Sequence, residues 1–93
     1  MAILGSVAGV EEAVTAFVRE NFLYARPDFP LGPDARLLEH GIIDSMGVVE
    51  IVEFLQSQFG VVVRDDEITE DNLGTIAAIA RYVVLRRDGR WPR

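Results

Sequence analysis

Asp44 and Ser45 are the residues with the clearest chemical potential, because they stand where a helix is predicted to begin. A serine hydroxyl at a helix N-terminus lies beside unpaired backbone N–H groups and the positive end of the helix dipole, which favour an attached or nearby phosphate. Asp44 can cap the same helix. Aspartate and serine are also among the commonest capping residues, so capping alone would explain the pair as an isolated dipeptide.

The composition removes several kinds of catalytic site. The 93-residue chain has no cysteine and no lysine, and its one histidine is His40. Thiolate nucleophiles, thiolate metal ligands, disulfides and Schiff-base lysines are therefore excluded. A serine hydrolase would need a base near Ser45, which only His40 could supply, and the G-x-S-x-G turn is absent. We predict no catalytic residue and no metal site, and expect that the protein is not an enzyme by itself.

Negative charge is concentrated in the middle of the chain. The net charge is −6, but residues 39–71 hold nine acidic side chains and one arginine, a net charge of −8, and the remainder carries +2. Such a block repels nucleic acid and attracts partners with basic patches, although a solvated acidic face is the simpler explanation of the charge alone. No apolar run could span a bilayer and no signal peptide is evident, so we expect a cytoplasmic protein.

The first of four predicted helices covers about 10–24, where apolar residues recur at helical spacing. Glu11 and Glu12 are expected in its first turn, where negative charge suits the helix dipole. The helix should end before Pro27, because the residue before a proline avoids the helical region. A long loop over about 26–43 follows, and its apolar residues predict that it packs against the helices.

The second helix is predicted for about 45–58, with Gly60 as its C-terminal stop. The apolar residues that fall on one arc at 100° per residue, and so predict its core face, are Val48, Ile51, Val52, Leu55 and Phe59. Gly47 costs about 1 kcal/mol relative to alanine inside a helix. We interpret Gly47 as a low spot on the surface near Ser45 that allows a partner to approach.

The opposite face of this helix is predicted to be exposed. Met46, Glu50 and Glu53 fall on it, with Val49 at its flank. An exposed apolar residue within an acidic face is typical of a contact surface, although a single exposed methionine is ordinary.

The remaining elements are shorter. Residues 61–63 are predicted to form an extended connection, and the acidic stretch 65–73 to contain a short helix that starts after Thr69. A last helix is predicted for about 75–87. The residues predicted to hold the bundle together are Val14, Phe17, Val48, Val52, Leu55, Phe59, Ile76, Ile79 and Val83.

The predicted fold class is all-α. Three longer helices and one short helix form a small four-helix bundle, with a long loop between helices 1 and 2. We expect one domain over residues 1–93, with a core of about 10–87 and frayed termini.

The run from Leu37 to Val83 resembles the acyl and peptidyl carrier proteins. The resemblance begins with Asp-Ser before a hydrophobic residue, a glutamate five residues after the serine and a phenylalanine fourteen after it. An acidic stretch, a short helix and a final T-I-x-x-I-A-x-Y-V helix follow in the same order. Asp-Ser alone is a weak signal, whereas the ordered set is a strong one.

The resemblance implies a cofactor and a set of partners. In this family a phosphopantetheinyl transferase attaches 4'-phosphopantetheine from coenzyme A to the serine that matches Ser45, and the arm carries acyl or aminoacyl groups as thioesters. Asp44 would assist recognition by the transferase. Met46, Val49, Glu50 and Glu53 would line the docking surface. The expected partners are this transferase, an acyl- or aminoacyl-loading ligase, and downstream synthase or tailoring enzymes with basic patches.

The sequence departs from the pattern of fatty acid carriers in several places. Ile43 and Met46 replace the glycine and leucine around Asp-Ser, and Gly47, Gln56 and Ser57 stand where acids are frequent. The docking face is therefore less acidic, and the pattern is closer to free-standing, monomeric carriers of secondary metabolism or to carriers loaded with amino acids. Polyketide, nonribosomal peptide and fatty acid biosynthesis all stay open.

Three other functions differ from a carrier in features that the sequence shows or that an experiment can test. A calcium loop starting at Asp65 would need glycine at its sixth position, where Glu70 stands. A DNA-reading helix would need basic residues, whereas the second helix carries Glu50 and Glu53. A non-catalytic, acidic protein-interaction module without covalent modification shares the core and the exposed Met46, and differs from a carrier in that Ser45 would be unmodified and replaceable.

Overall fold

The computed structural model describes residues 6–89. Within this range the helices are α1 (Val7–Phe22), α2 (Ser45–Phe59), α3 (Glu70–Leu73) and α4 (Ile76–Arg87), with a 3-10 turn at Asp65–Glu67 between α2 and α3. The predicted all-α fold, with its short third helix and long loop between α1 and α2, is confirmed. Most of the termini that we predict to fray lie outside the described residues, and the single domain over 1–93 stays a prediction.

The predicted boundaries of α1 are displaced by about one turn. The helix begins at Val7, because the Ser6 hydroxyl accepts a hydrogen bond from the Gly9 N–H at 3.0 Å and caps the first turn. The prediction that Glu11 and Glu12 occupy the first turn is therefore wrong. The apolar pattern becomes regular only at Val10, which is why it placed the start of the helix too late.

The core lies chiefly between α1 and α4, which form the largest helix–helix interface of the described chain. The fully buried side chains of these two helices include Val10, Val14, Val18, Ile76, Ile79, Tyr82 and Val83. Helix α2 adds Ile51, Leu55 and Phe59 from its predicted core face. Val48 and Val52 were predicted to be core residues, but they are only half-buried because they line an open groove described below.

The long loop is fastened to the bundle through Leu37, which is fully buried. The Leu37 N–H donates to the Gly74 carbonyl at 2.9 Å, and the Leu37 carbonyl accepts from the N–H groups of Ile42 and Ile43 at 2.9 and 3.2 Å. Gly41 has a φ of 70°, which is a conformation that glycine adopts at little cost and that reverses the chain between Leu37 and Ile42. The loop therefore returns to the bundle just before α2 begins.

Residues 61–63 form the predicted extended connection, and no strand occurs between residues 6 and 89. The acidic stretch that follows is not wholly solvated, because Glu67 is only 6% exposed. Its Oε1 atom accepts hydrogen bonds from the Tyr82 hydroxyl at 2.6 Å and from the Arg86 guanidinium. The second Arg86 nitrogen, Nη2, donates to the Val62 carbonyl at 3.0 Å, so α4 holds the segment that precedes α3.

Gly47 serves internal packing and not the surface, which corrects our interpretation of this residue. It is buried, and a Cβ atom at this position would lie 2.8 Å from the Cβ of Ile43 and 3.1 Å from the Phe22 ring. The close approach of Ile43 to α2 therefore requires a residue without a side chain.

We expect Gly47→Ala to lower the free energy of unfolding by about 1 kcal/mol, because overpacking against the Cβ of Ile43 outweighs the gain in helix propensity. Urea denaturation would measure the change. Ser57→Ala, at an exposed position of the same helix, is the matched control and should leave the stability unchanged or slightly higher. An increase in stability for Gly47→Ala would show that the α2 surface at Ile43 is loosely packed.

A second prediction concerns alkaline pH. Burial, and next the hydrogen bond to Glu67, raise the pKa of Tyr82 from 10.0 to about 12. The unfolded chain therefore loses this proton first, so the stability that Tyr82 contributes is complete below pH 10 and is lost as the pH rises toward 12. Tyr82→Phe should flatten the decline of the urea midpoint across this window, whereas the exposed Tyr24→Phe should not. Equal slopes for Tyr82→Phe and wild type would contradict the prediction.

Candidate functional site

The start of α2 is capped by Asp44 and not by Ser45. Asp44 has extended backbone angles, and its Oδ1 atom accepts a hydrogen bond from the Gly47 N–H at 2.9 Å. The Asp44 carbonyl accepts from the Val48 N–H at 3.1 Å, which begins the regular helical pattern. Ser45 is thus the first residue of the helix, where its side chain is not needed for capping.

Ser45 is exposed, and within the described part of the chain its hydroxyl makes no hydrogen bond. The backbone N–H groups of a helix's first turn have no intrahelical partner, and Asp44 satisfies only that of Gly47. The positive end of the dipole of this 15-residue helix adds to their effect. The surroundings of Ser45 therefore suit a phosphate joined to its hydroxyl oxygen, and they leave that oxygen open to a transferring enzyme.

The residues before Asp44 fix Ser45 relative to the bundle. Ile42 and Ile43 are buried, and their N–H groups are both held by the Leu37 carbonyl. Asp44, Ser45 and Met46 are exposed directly afterwards. The chain therefore emerges from the core at a defined point and presents the serine at the surface.

An open groove of about 580 Å³ adjoins Ser45. One wall is α2, and the other is formed by residues 63–68, with Leu38 from the long loop at the edge. The lining residues are Leu38, Ser45, Val48, Val49, Val52, Glu53, Val63, Asp65 and Ile68. The walls are mainly aliphatic, and the three polar side chains include Ser45 itself. A flexible arm attached to Ser45 could therefore reach an apolar surface directly beside its attachment point.

The predicted docking residues are all exposed on α2. Met46 is 67% exposed and Val49 is 49% exposed, while Glu50 and Glu53 are exposed and make no ion pair with any residue of the described range. Val49 and Glu53 also form part of the groove lining. The structure therefore places these four side chains on the exposed surface of α2 that follows the serine, and the two carboxylates among them are open to solvent.

The arrangement does not resemble a hydrolase site. His40 is exposed in the turn before Ile42, and between residues 6 and 89 no hydrogen bond joins it to Ser45. No group of three or more potential metal-ligating side chains occurs in the described part of the chain. None of the helices in that part is long and apolar enough to cross a membrane.

Sequence reasoning found the exposed residues of the site but missed the second wall of the groove. Ile68 is 39% exposed although it is aliphatic, and Val63 and Asp65 face the same space. In the structure Val61 and Val63 are buried and Val62 is exposed. Three consecutive valines show no alternation in the sequence, so the pattern could not predict which side of the segment faces inward or which helix it faces.

The chain matches the profile of the phosphopantetheine attachment site family over residues 12–83, which is most of its length. No curated protein matches the chain. The matched range includes α2, the groove and the buried side chains of α4 up to Val83. The chain belongs to the phosphopantetheine attachment site family, and it is a carrier domain: a non-catalytic substrate shuttle with a 4'-phosphopantetheine prosthetic group.

Proposed function

We propose that Ser45 is the residue to which the phosphopantetheine arm is attached. The observation that carries this assignment is a difference in helix capping. In α1, α3 and α4 the capping hydroxyl, from Ser6, Thr69 and Thr75 respectively, accepts a hydrogen bond from its own helix. In α2 the carboxylate of Asp44 takes that role, so the hydroxyl of Ser45 stays available for modification.

Asp44 has two functions in this proposal. As the cap it keeps α2 formed up to Ser45, and its exposed carboxylate provides a charged group next to the modified hydroxyl. The phosphopantetheinyl transferase, which is a partner implied by the family, would recognise this charge. Asparagine caps a helix as well as aspartate does, so the two functions can be separated experimentally.

The cargo that fits the groove best is an acyl group with an apolar chain. The arm supplies a terminal thiol, which carries such a group as a thioester. The aliphatic side chains of Val48, Val52 and Ile68 offer an apolar chain a place outside water, whereas the charged amino group of an aminoacyl cargo would lose hydration there. Acyl cargo is therefore the first choice and aminoacyl cargo the alternative.

The exposed face of α2 is the proposed docking surface for partner enzymes. Met46 and Val49 offer apolar contact, and Glu50 and Glu53 offer carboxylates to a basic patch. Such partners would be the transferase, a loading ligase, and synthase or tailoring enzymes. The moderate acidity of the face and the Ile43-to-Met46 sequence favour secondary metabolism, in a monomeric cytoplasmic carrier.

The rival function is an acidic interaction module whose Ser45 is never modified. Intact mass after incubation with coenzyme A, magnesium and a broad-specificity phosphopantetheinyl transferase separates the two. We expect the wild type and the exposed control Ser57→Ala to gain one phosphopantetheine, and Ser45→Ala to gain none, because among residues 6–89 only Ser45 offers a free hydroxyl at a helix start. No gain by the folded wild type, beside an active positive control, would favour the interaction module.

A fourth prediction tests the acidic groups. Asp44→Asn, Glu50→Gln and Glu53→Gln each remove a charge and keep the side-chain shape, so we expect a higher KM for the transferase with thermal stability unchanged. Glu12→Gln, an exposed glutamate on α1, is the control and should leave the KM as in the wild type. The differences should shrink as salt is raised, since exposed charges are screened. If all four variants have the KM of the wild type, the acidic groups of α2 do not contribute to transferase docking.

A further inference from the structure

We propose that Glu67, Tyr82 and Arg86 are positioning residues for the cargo, because they hold the second wall of the groove in place. The inference rests on the proposed function, in which an acyl chain on the Ser45 arm enters the groove. It adds three residues that do not line the groove, and it makes cargo retention depend on α4.

The second wall has little structure of its own. Residues 61–68 contain only the 3-10 turn Asp65–Glu67, and between residues 6 and 89 no strand pairs with them. Val63, Asp65 and Ile68 from this segment face the groove. A segment with so few backbone hydrogen bonds needs side-chain contacts to stay in one position.

Val61 and Val63 supply apolar contacts with the core, and α4 supplies polar contacts at two points. The Glu67 carboxylate accepts hydrogen bonds from the Tyr82 hydroxyl, at 2.6 Å, and from Arg86 Nη1. Arg86 Nη2 donates to the Val62 carbonyl at 3.0 Å. Arg86 Nη1 also lies 2.8 Å from the Tyr82 oxygen. Val62 and Glu67 lie on either side of the wall residues Val63 and Asp65, so the wall is held both before and after them.

The polar chemistry of this cluster has a positional role. A buried ion pair contributes little more to stability than apolar side chains of similar volume, because the two charges lose their hydration. Directional hydrogen bonds, however, allow one arrangement where apolar contacts allow several. Glu67 Oε1 also accepts the Arg64 N–H at 3.4 Å, and the Asn72 side chain donates to the Glu67 carbonyl at 2.9 Å. Glu67 thus joins both flanks of the 3-10 turn, through its carboxylate on the Arg64 side and through its backbone carbonyl on the Asn72 side.

The other anchor of the cluster is rigid. Tyr82 is fully buried in α4, the helix that packs along α1, and Arg86 follows it one turn later. The cluster therefore ties the second wall of the groove to the most buried part of the bundle. If the cluster is broken, the wall should move away from α2 and the groove should open to water.

The test uses variants that remove the cluster without leaving a buried charge. Arg86→Met alone would strand the Glu67 carboxylate and could unfold the protein, so the main variant is the double substitution Glu67→Met and Arg86→Met. Arg86→Lys keeps the charge beside Glu67 but lacks the second guanidinium nitrogen, which donates to the Val62 carbonyl. Arg81→Met, at an exposed position of α4, is the matched control.

The first readout is amide hydrogen exchange in the unmodified protein. We expect exchange at residues 67–69 to accelerate about tenfold in the double variant and less in Arg86→Lys, with the α1 and α4 core amides and the Arg81→Met variant unchanged. Unchanged exchange at 67–69 in the folded double variant would overturn the proposal. This readout does not depend on the arm or the cargo.

The second readout is thioester hydrolysis with acetyl and octanoyl cargo, each loaded from its coenzyme A thioester and compared with the free acyl-pantetheine. We expect the wild type to protect octanoyl and the double variant to lose that protection, whereas acetyl, which is too short to fill the groove, should hydrolyse equally in both. A merely structural role would alter both cargoes alike and would overturn the proposal.

Loading of Ser45 and protection of the cargo are measured separately. Absence of loading, seen by intact mass, would contradict the attachment at Ser45 and with it the cargo role of the cluster. Normal loading with no protection of octanoyl by the wild type would leave the attachment intact and overturn only the positioning role. Protection in the wild type that persists in the double variant would also overturn the positioning role.

Discussion

The buried peptide groups of Leu37 impose the constraint on which the rest of the structure depends. A buried N–H or carbonyl must be paired, and those of Leu37 are paired with Gly74 on one side and with Ile42 and Ile43 on the other. The long loop is therefore held at the junction of α3 and α4 and then at the start of α2. Without these bonds the loop could not deliver Ser45 to a fixed place beside the groove.

The site has a simple chemistry because its partners carry out the reactions. Carrier function requires an accessible hydroxyl, a formed helix and a surface for docking, and these requirements compete at a helix N-terminus, where a hydroxyl is usually consumed by capping. At α2 the carboxylate of Asp44 caps the helix, and the hydroxyl of Ser45, the proposed attachment point, stays accessible. The buried carboxylate of residues 6–89, that of Glu67, lies elsewhere and pairs with the partly buried Arg86 beside the second wall of the groove.

Helix α2 has three faces, which differ in how far their side chains are buried. Ile51 and Leu55 are buried in the core, Val48 and Val52 are half-buried along the groove, and Met46 is exposed on the surface proposed for docking. A single apolar arc cannot separate core from groove, because valine satisfies both. That is why the sequence pattern predicted Val48 and Val52 as core residues, although it predicted Ile51, Leu55 and the exposed Met46 correctly.

The sequence by itself determined what depends on near neighbours: the helical periodicity, the caps at Asp44 and Thr69, and the position of Ser45 at the start of α2. Only the tertiary structure decided the burial of Glu67, because its partners Tyr82 and Arg86 lie 15 and 19 residues away. The tertiary structure also decided that the absence of a side chain at Gly47 makes room for Ile43 and not for a partner protein. A local pattern records which face of an element is apolar, whereas burial depends on which distant surface covers that face.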